Sequence, residues 1–169
     1  MSPAAGFTLL ELLIALAIAA IVAAVGVPGL GAYIAEQRLQ SRADALLRSL
    51  ERARSEAIRR GARVDLCPAG AGCAGGALPW ESGWTIVADS ARSGTPIAAE
   101  RASEAGISIR GNRPLADYVS YTAAGRARRF DGALQMGTFT VCAAGLRVRK
   151  VIVASSGRAR VETASEVCP

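Results

Sequence analysis

Apolar and polar positions change their spacing twice along the chain, and each change marks a different kind of element. From 7 to 27 the sequence runs for 21 residues with a single charge, Glu11, which meets the roughly 20 apolar residues that a helix needs to cross a bilayer core. The pattern predicts a hydrophobic, membrane-spanning helix over 7–34, in which alanines at 15, 17, 19, 20, 23 and 24 permit close helix approach. Gly26, Pro28, Gly29 and Gly31 interrupt it. Pro28 removes a backbone donor and glycine weakens a helix, so a hinge at Pro28 and Gly29 is expected, with a continuous helix as the runner-up.

From 33 to 60 the spacing becomes that of one helix face. Leu39, Ala43, Leu46, Leu47, Leu50, Ala53, Ala57 and Ile58 recur with the helical period, while Arg38, Arg42, Arg48, Glu51, Arg52 and Arg59 occupy the other side. This predicts an amphipathic helix over 35–61, stopped by Gly61, with Arg59 and Arg60 at the negative end of its dipole. Beyond Gly61 short β-rich runs punctuated by glycine predict strands at 63–67, 83–88, 107–110, 118–122, 137–142, 147–154 and 158–162. Ser155-Ser156-Gly157 reads as the turn of a hairpin joining the last two. On the second strand of that hairpin Arg158 and Arg160 share a face, about 6.7 Å apart by strand rise. The fold class is therefore α+β, with a β-rich domain over 62–169 packed on the amphipathic helix.

Charge and composition narrow the chemistry. From residue 35 onward 20 basic side chains face 13 acidic ones, a formal +7, and such a surface favours polyanionic partners. Between 125 and 169 there are eight basic residues, Arg126, Arg128, Arg129, Arg147, Arg149, Lys150, Arg158 and Arg160, against three acids. Histidine is absent, which removes the usual general base and the commonest transition-metal ligand, and no nucleophile motif replaces it. The chain is read as a non-enzyme with no catalytic residues, cofactor or small-molecule substrate. Trp80, Trp84, Tyr118 and Tyr121 are assigned to packing rather than to base stacking, because they are most of the aromatics available to the core.

Four cysteines in a chain delivered across a membrane read as two disulfides, with three connectivities open. A Cys67–Cys73 bridge is expected at the start of a glycine-rich loop over 68–79, although Cys73 can still reach elsewhere. A Cys142–Cys168 bridge would pin the C-terminal tail. Five residues separate Cys67 from Cys73 and 25 separate Cys142 from Cys168, spacings that do not suit zinc, so no metal site is expected.

The start of the chain excludes a secretory signal peptide, since no Lys or Arg precedes Arg38 and the glycine stands before the apolar run. Instead, Gly6-Phe7-Thr8-Leu9-Leu10-Glu11 followed by an apolar helix resembles the class III signal of type IV pilins and type II secretion pseudopilins. This leader departs from the usual pattern in carrying no Lys or Arg. Ala53-Arg54-Ser55-Glu56-Ala57-Ile58 and the Trp80 and Gly83-Trp84 elements are similar to segments of the GspH/FimT family, closest to its FimT/FimU-like minor pilins. The resemblance implies a type IV pilin fold, removal of the 1–6 leader by a prepilin peptidase between Gly6 and Phe7, and N-methylation at Phe7. It also implies that Glu11 attracts the Phe7 amine of a neighbouring subunit during assembly. The subunit would sit in the bacterial inner membrane with its domain in the periplasm, then join other minor pilins and the major pilin at or near a filament tip.

Gly157-Arg158-Ala159-Arg160 matches the Gly-Arg-x-Arg motif that FimT-like pilins carry near their ends, which in that family is associated with DNA capture for natural transformation. Gly125-Arg126-Ala127-Arg128 fits the same pattern. Arg158 and Arg160 are therefore the expected contacts to non-specifically bound DNA, helped by Arg126, Arg128, Arg129, Arg147, Arg149 and Lys150. A GspH-like minor pseudopilin of a type II secretion system, without DNA binding, is the alternative.

Overall fold

In the computed structural model, residues 8–69, 73, 79–89 and 94–169 are described, with only the backbone of 23–29. The chain forms two compact units, 1–38 and 39–169. One helix, α1 (Leu9–Arg60), is assigned across both. It starts where Thr8 caps it: the Thr8 Oγ1 accepts from the Glu11 N–H at 3.3 Å and the Thr8 carbonyl accepts from the Leu12 N–H at 3.2 Å. Glu11 thus occupies the first turn, where a carboxylate suits the positive end of the helix dipole.

In the first unit nine leucines, isoleucines and valines between Leu9 and Val22 are 53–79 % exposed, an apolar surface that water does not tolerate unpartnered. Among the described residues no helix is long and apolar enough to cross a membrane. Gly6 and Phe7, where the expected anchor begins, and the side chains of 23–29 lie outside them. The backbone is helical through Pro28 and Gly29, where the sequence leads one to expect an interruption. Proline deletes one donor from the ladder, and the turns on either side still hold the backbone.

In the second unit, Leu39, Ala43, Leu46, Leu50, Ala53 and Ala57 of α1 are fully buried, the stripe that the periodicity predicts. Ile58, counted with that stripe, is 52 % exposed, and Leu47 is half-buried. The helix closes at Gly61, with the Ala62 N–H donating back to the Ala57 carbonyl at 3.3 Å.

Eight strands follow: β1 (Val64–Pro68), β2 (Trp84–Ala88), β3 (Thr95–Glu100), β4 (Ile107–Gly111), β5 (Val119–Tyr121), β6 (Gly137–Ala143), β7 (Arg147–Val153) and β8 (Ala159–Val167). They make two antiparallel sheets, in the orders β3-β2-β1-β5 and β4-β6-β7-β8. Leu66, Trp84, Ile86 and Tyr121 from the first sheet join Ile109, Phe139, Val141 and Val151 from the second in one core with the helix stripe. Trp80 packs edge-on against Phe139, centroids 5.0 Å apart, and its indole N–H donates to the Ala116 carbonyl at 2.7 Å. Three of the four aromatics assigned to packing, Trp80, Trp84 and Tyr121, are buried in this core.

Sequence patterning missed β3 and stopped β8 five residues short of its end at Val167. An arginine explains how β3 is held. Arg42 lies over the Trp84 ring at 4.3 Å and donates to Ser103 Oγ at 2.7 Å, the Arg101 carbonyl at 2.5 Å and Glu100 Oε1 at 3.3 Å. Burial lowers its pKa, and Glu100 opposes that shift. A guanidinium so fully bonded stays charged and ties the end of β3 to α1.

Both expected disulfides are present, Cys67–Cys73 and Cys142–Cys168, with Cα separations of 5.2 and 5.7 Å. The second fastens the residue after β8 to β6, while the Cys168 N–H donates to the Leu146 carbonyl at 2.8 Å. In the chain-entropy account the longer loop is worth about 3.5 kcal/mol and the shorter about 2.4 kcal/mol. Replacing Cys142 and Cys168 with serine should therefore lower the unfolding midpoint in urea more than replacing Cys67 and Cys73. Hydrogen exchange should quicken selectively at the end of β8.

Candidate functional site

The basic residues of the C-terminal third divide according to what already holds them. Arg149 is nearly buried and bonds Thr163 Oγ1 across the β7–β8 pair. Lys150 is paired with Glu166. Arg129 pairs with Asp131 at 3.4 Å, and Arg160 with Glu162 at 2.7 Å. Arg128 is half-buried, and its backbone is bridged to Leu134. Arg147 is exposed at the start of β7. Arg126 and Arg158 are also exposed, and among the described residues no carboxylate pairs with either.

Of the two arginines expected to share a strand face, Arg160 is therefore already paired. Arg158 precedes β8, which begins at Ala159, and Arg160 has a carboxylate two residues on along the same face. Residues i and i+2 of a strand point to one side, so an Arg-x-Glu sequence brings opposite charges together. Across the hairpin Lys150 faces Glu162 and Ile152 faces Arg160.

A different pairing takes its place. Residues 122–126 and 154–158 form two turns with the same hydrogen bonds. The Gly125 N–H donates to the Thr122 carbonyl at 2.7 Å and the Thr122 N–H to the Arg126 carbonyl at 3.0 Å. Correspondingly, the Gly157 N–H donates to the Ala154 carbonyl at 2.8 Å and the Ala154 N–H to the Arg158 carbonyl at 2.9 Å. Both glycines have positive φ, +69° and +85°, as three-residue hairpin loops with a glycine bulge require. The two turns also touch, since a Cβ on Gly157 would lie 1.9 Å from the Gly125 carbonyl oxygen. The two Gly-Arg-Ala-Arg tetrapeptides, 32 residues apart in sequence, are thus neighbours in space.

Helix α1 supplies their seat. Arg54 Nε donates to the Gly125 carbonyl at 3.0 Å, and a Cβ on Gly125 would fall 2.6 Å from Ile58 Cδ1. The sequence pattern counts Ile58 with the core stripe and marks Arg54 only as part of the 53–58 segment; their contact with Gly125 has no local signal. A cleft of about 460 Å³ lies beside the turns, lined by Glu51, Arg54, Ser55 and Ile58 of α1 and by Gly157 and Arg158. Further along, hydrogen bonds from Arg60 at 2.8 Å and Arg59 at 2.5 Å hold the Glu56 carboxylate below the usual carboxylate range. Beneath the site the buried Tyr121 hydroxyl is pushed well above its ordinary pKa by desolvation, with Arg54 opposing the shift and Glu51 adding to it. It stays protonated at any physiological pH.

The other sites expected from the sequence divide in the same plain way. Glu11 is exposed in the first turn of α1. The processing site at Gly6 and Phe7 is outside the described residues, as are the side chains of Pro28 and Gly29. Among the described residues no group of acidic, cysteine or histidine side chains is arranged to hold a metal ion.

Comparison with known proteins places this geometry in context. The family model for type II transport protein GspH matches residues 42–157, and that for the prokaryotic N-terminal methylation motif matches residues 1–27. No curated protein matches. Two crystal structures of the type IV minor pilin FimU from Pseudomonas aeruginosa are similar, at 20 % identity in each case. In one, the alignment has a TM-score of 0.62 and covers 79 % of this chain and 98 % of that one; in the other it has 0.57, with 75 % and 98 %. At that identity the likeness shows the fold, a type IV pilin fold.

The two turns give a direct test of their packing. Gly157→Ala combines positive φ with overlap on a backbone oxygen and should cost about 3 kcal/mol. Gly145→Ala, at φ +75° with nothing within 4 Å of the new methyl, should cost only about 1–2 kcal/mol. Urea unfolding of both variants measures the difference, and equal losses would mean that the turns are not in contact.

Proposed function

The chain belongs to the GspH family of minor pilins and pseudopilins, and from that membership we propose that it is a minor pilin of a type IV pilus that binds DNA non-specifically for natural transformation. The methylation motif at residues 1–27 implies processing by a prepilin peptidase and assembly with other pilins. Pilins and pseudopilins are structural proteins, not enzymes. In this reading the leader 1–6 is removed between Gly6 and Phe7, the Phe7 amine is methylated, and the apolar start of α1 anchors the subunit in the inner membrane. The periplasmic domain begins near residue 35. The exposed leucines and isoleucines of 9–22 support an anchor, because lipid or neighbouring helices would cover them. Glu11 carries the assembly role toward the Phe7 amine of a neighbour. Pro28 and Gly29 are the hinge at which a helix continuous in this state would open on passing from membrane to filament.

The observation that carries the DNA reading is the exposure of Arg126 and Arg158, each next in sequence to one of two touching glycines and neither paired with a carboxylate among the described residues, on a domain of formal charge +7. Arginine binds phosphate bidentately, and phosphate contacts need no base readout, so the site suits the backbone of any sequence. Arg147 extends the free basic surface, and Arg160 joins once its carboxylate partner is displaced. Exposed ion pairs contribute only about 0–1 kcal/mol, small enough for a polyphosphate to compete.

A second reading retains support from the matched family model, whose description is a type II transport protein. There the chain is a minor pseudopilin of a type II secretion system without DNA binding. Deleting the gene separates the two, since loss of protein secretion with DNA uptake intact favours the pseudopilin.

The DNA reading is tested on the full chain in non-ionic detergent by fluorescence anisotropy with duplex DNA. Affinity should fall steeply with salt, nearly one unit of log–log slope for each phosphate neutralised. Arg158→Gln should weaken binding more than Arg160→Gln, and Glu162→Gln should strengthen it by releasing Arg160. Binding that is unaffected by salt and by the Arg158→Gln, Arg160→Gln double change would defeat the DNA role and leave the pilin role standing.

A further inference from the structure

The repeated turns suggest more than a scatter of cations. Of the second arginines of the two Gly-Arg-Ala-Arg tetrapeptides, Arg160 is paired with Glu162 and Arg128 is half-buried. Among the described residues no carboxylate pairs with the first arginine of each, Arg126 or Arg158. Each follows a positive-φ glycine in a turn with the same bonds, so the two main chains present their arginines from matching positions. The glycines touch, and the absence of a side chain on either is what lets the turns come so close. Arg54 completes the unit: its Nε bond fixes the Gly125 carbonyl, and the same nitrogen lies 3.2 Å from where a Cβ would stand on either glycine.

Resting on the DNA reading above, we infer that the two turns act as one phosphate clamp, in which Arg126 and Arg158 hold a single backbone phosphate or two successive ones. Arg54 is the positioning residue that sets their spacing. It is committed through Nε to a carbonyl, so its part is to lock one turn against the helix and, through Gly125, the other turn as well. Glu51 lines the same cleft as Arg158, so a phosphate held by Arg158 is disfavoured on the Glu51 side of it. Two guanidinium forks with a fixed spacing lose less freedom on binding than two independent arginines, so their contributions should be coupled.

The experiment is a double-mutant cycle on the full chain in non-ionic detergent, with duplex DNA at constant ionic strength. Arg126→Gln and Arg158→Gln should each weaken binding about five- to tenfold, and the double change should lose clearly less than the product of the two. Arg54→Met should weaken binding more than Arg52→Met, which removes the same charge from an exposed position of α1, and should abolish the coupling. Arg54→Lys, which can still donate to the Gly125 carbonyl, should restore part of it. Strictly multiplicative losses, or Arg54→Met behaving as Arg52→Met, overturns the clamp. If Arg54→Met fails to fold, the Arg126–Arg158 cycle decides alone, because both side chains are on the surface. Binding that depends on Arg158 and Arg160 but not on Arg126 defeats the clamp and leaves the DNA reading intact, whereas a wild-type chain that binds no DNA at any salt defeats both.

Discussion

Close approach of the second half of α1 to the rest of its domain is the constraint on which the structure turns. The buried stripe from Leu39 to Ala57 mixes large and small residues, and three of its six members are alanine. Where alanine stands, backbone comes near, and the hydrophobic gain is shared with dispersion contacts that a gap would forfeit. At the same end of the helix Ile58 and Arg54 leave no room for a side chain on Gly125, and the Gly125 carbonyl leaves none on Gly157. Packing and presentation are therefore one problem here. The helix that organises the core also fixes the turns that carry the free arginines.

Electrostatics within the domain follows from which cations that packing has already engaged. Arg42 is enclosed by Trp84, Ser103, Glu100 and the Arg101 carbonyl. Arg63 donates to Ser120 Oγ at 2.6 Å and to the Arg128 carbonyl at 3.1 Å, stabilising the segment below the first Gly-Arg turn. These arginines act as multivalent donors to backbone and side chains, a role in which lysine would not replace them. They add to the long-range field but are not available to a ligand. Eight basic residues after Gly125 therefore overstate the contact surface, although not the attraction that brings a polyanion to it.

Much of this was legible in the sequence. The helix stripe, seven of the eight strands and the hairpin turn at 155–157 follow from local pattern, and the cysteine count implies two disulfides while leaving their pairing open. Strand β3 did not, because Thr95-Pro96-Ile97-Ala98-Ala99-Glu100 has no alternating apolar face; it is an edge strand held by β2 and by Arg42. The Arg160–Glu162 pair is readable from an i, i+2 spacing on a strand, although Glu162 lies outside the Gly-Arg-Ala-Arg motif. The contact between Gly125 and Gly157 was not readable at all. The repeated tetrapeptide made the two turns look like competing matches to one motif, and only tertiary packing brings them together.

That juxtaposition changes how a short motif is to be understood. Gly-Arg-x-Arg on a single strand would offer two arginines about 6.7 Å apart, but here Glu162 neutralises one of them and the other lies before the strand. The glycine carries as much of the meaning as the arginines, since it allows a bulged turn to meet a second turn at backbone distance. An arginine's value for phosphate recognition depends on a preorganised fork and on freedom from carboxylates. In the clamp proposed above, Arg126 and Arg158 meet both conditions through residues set behind them: Gly125, Gly157, Ile58 and Arg54. The helical segment that contains Arg54 and Ile58 and the terminal motif that contains Arg158 are therefore parts of one structure, joined through the turn at Gly125.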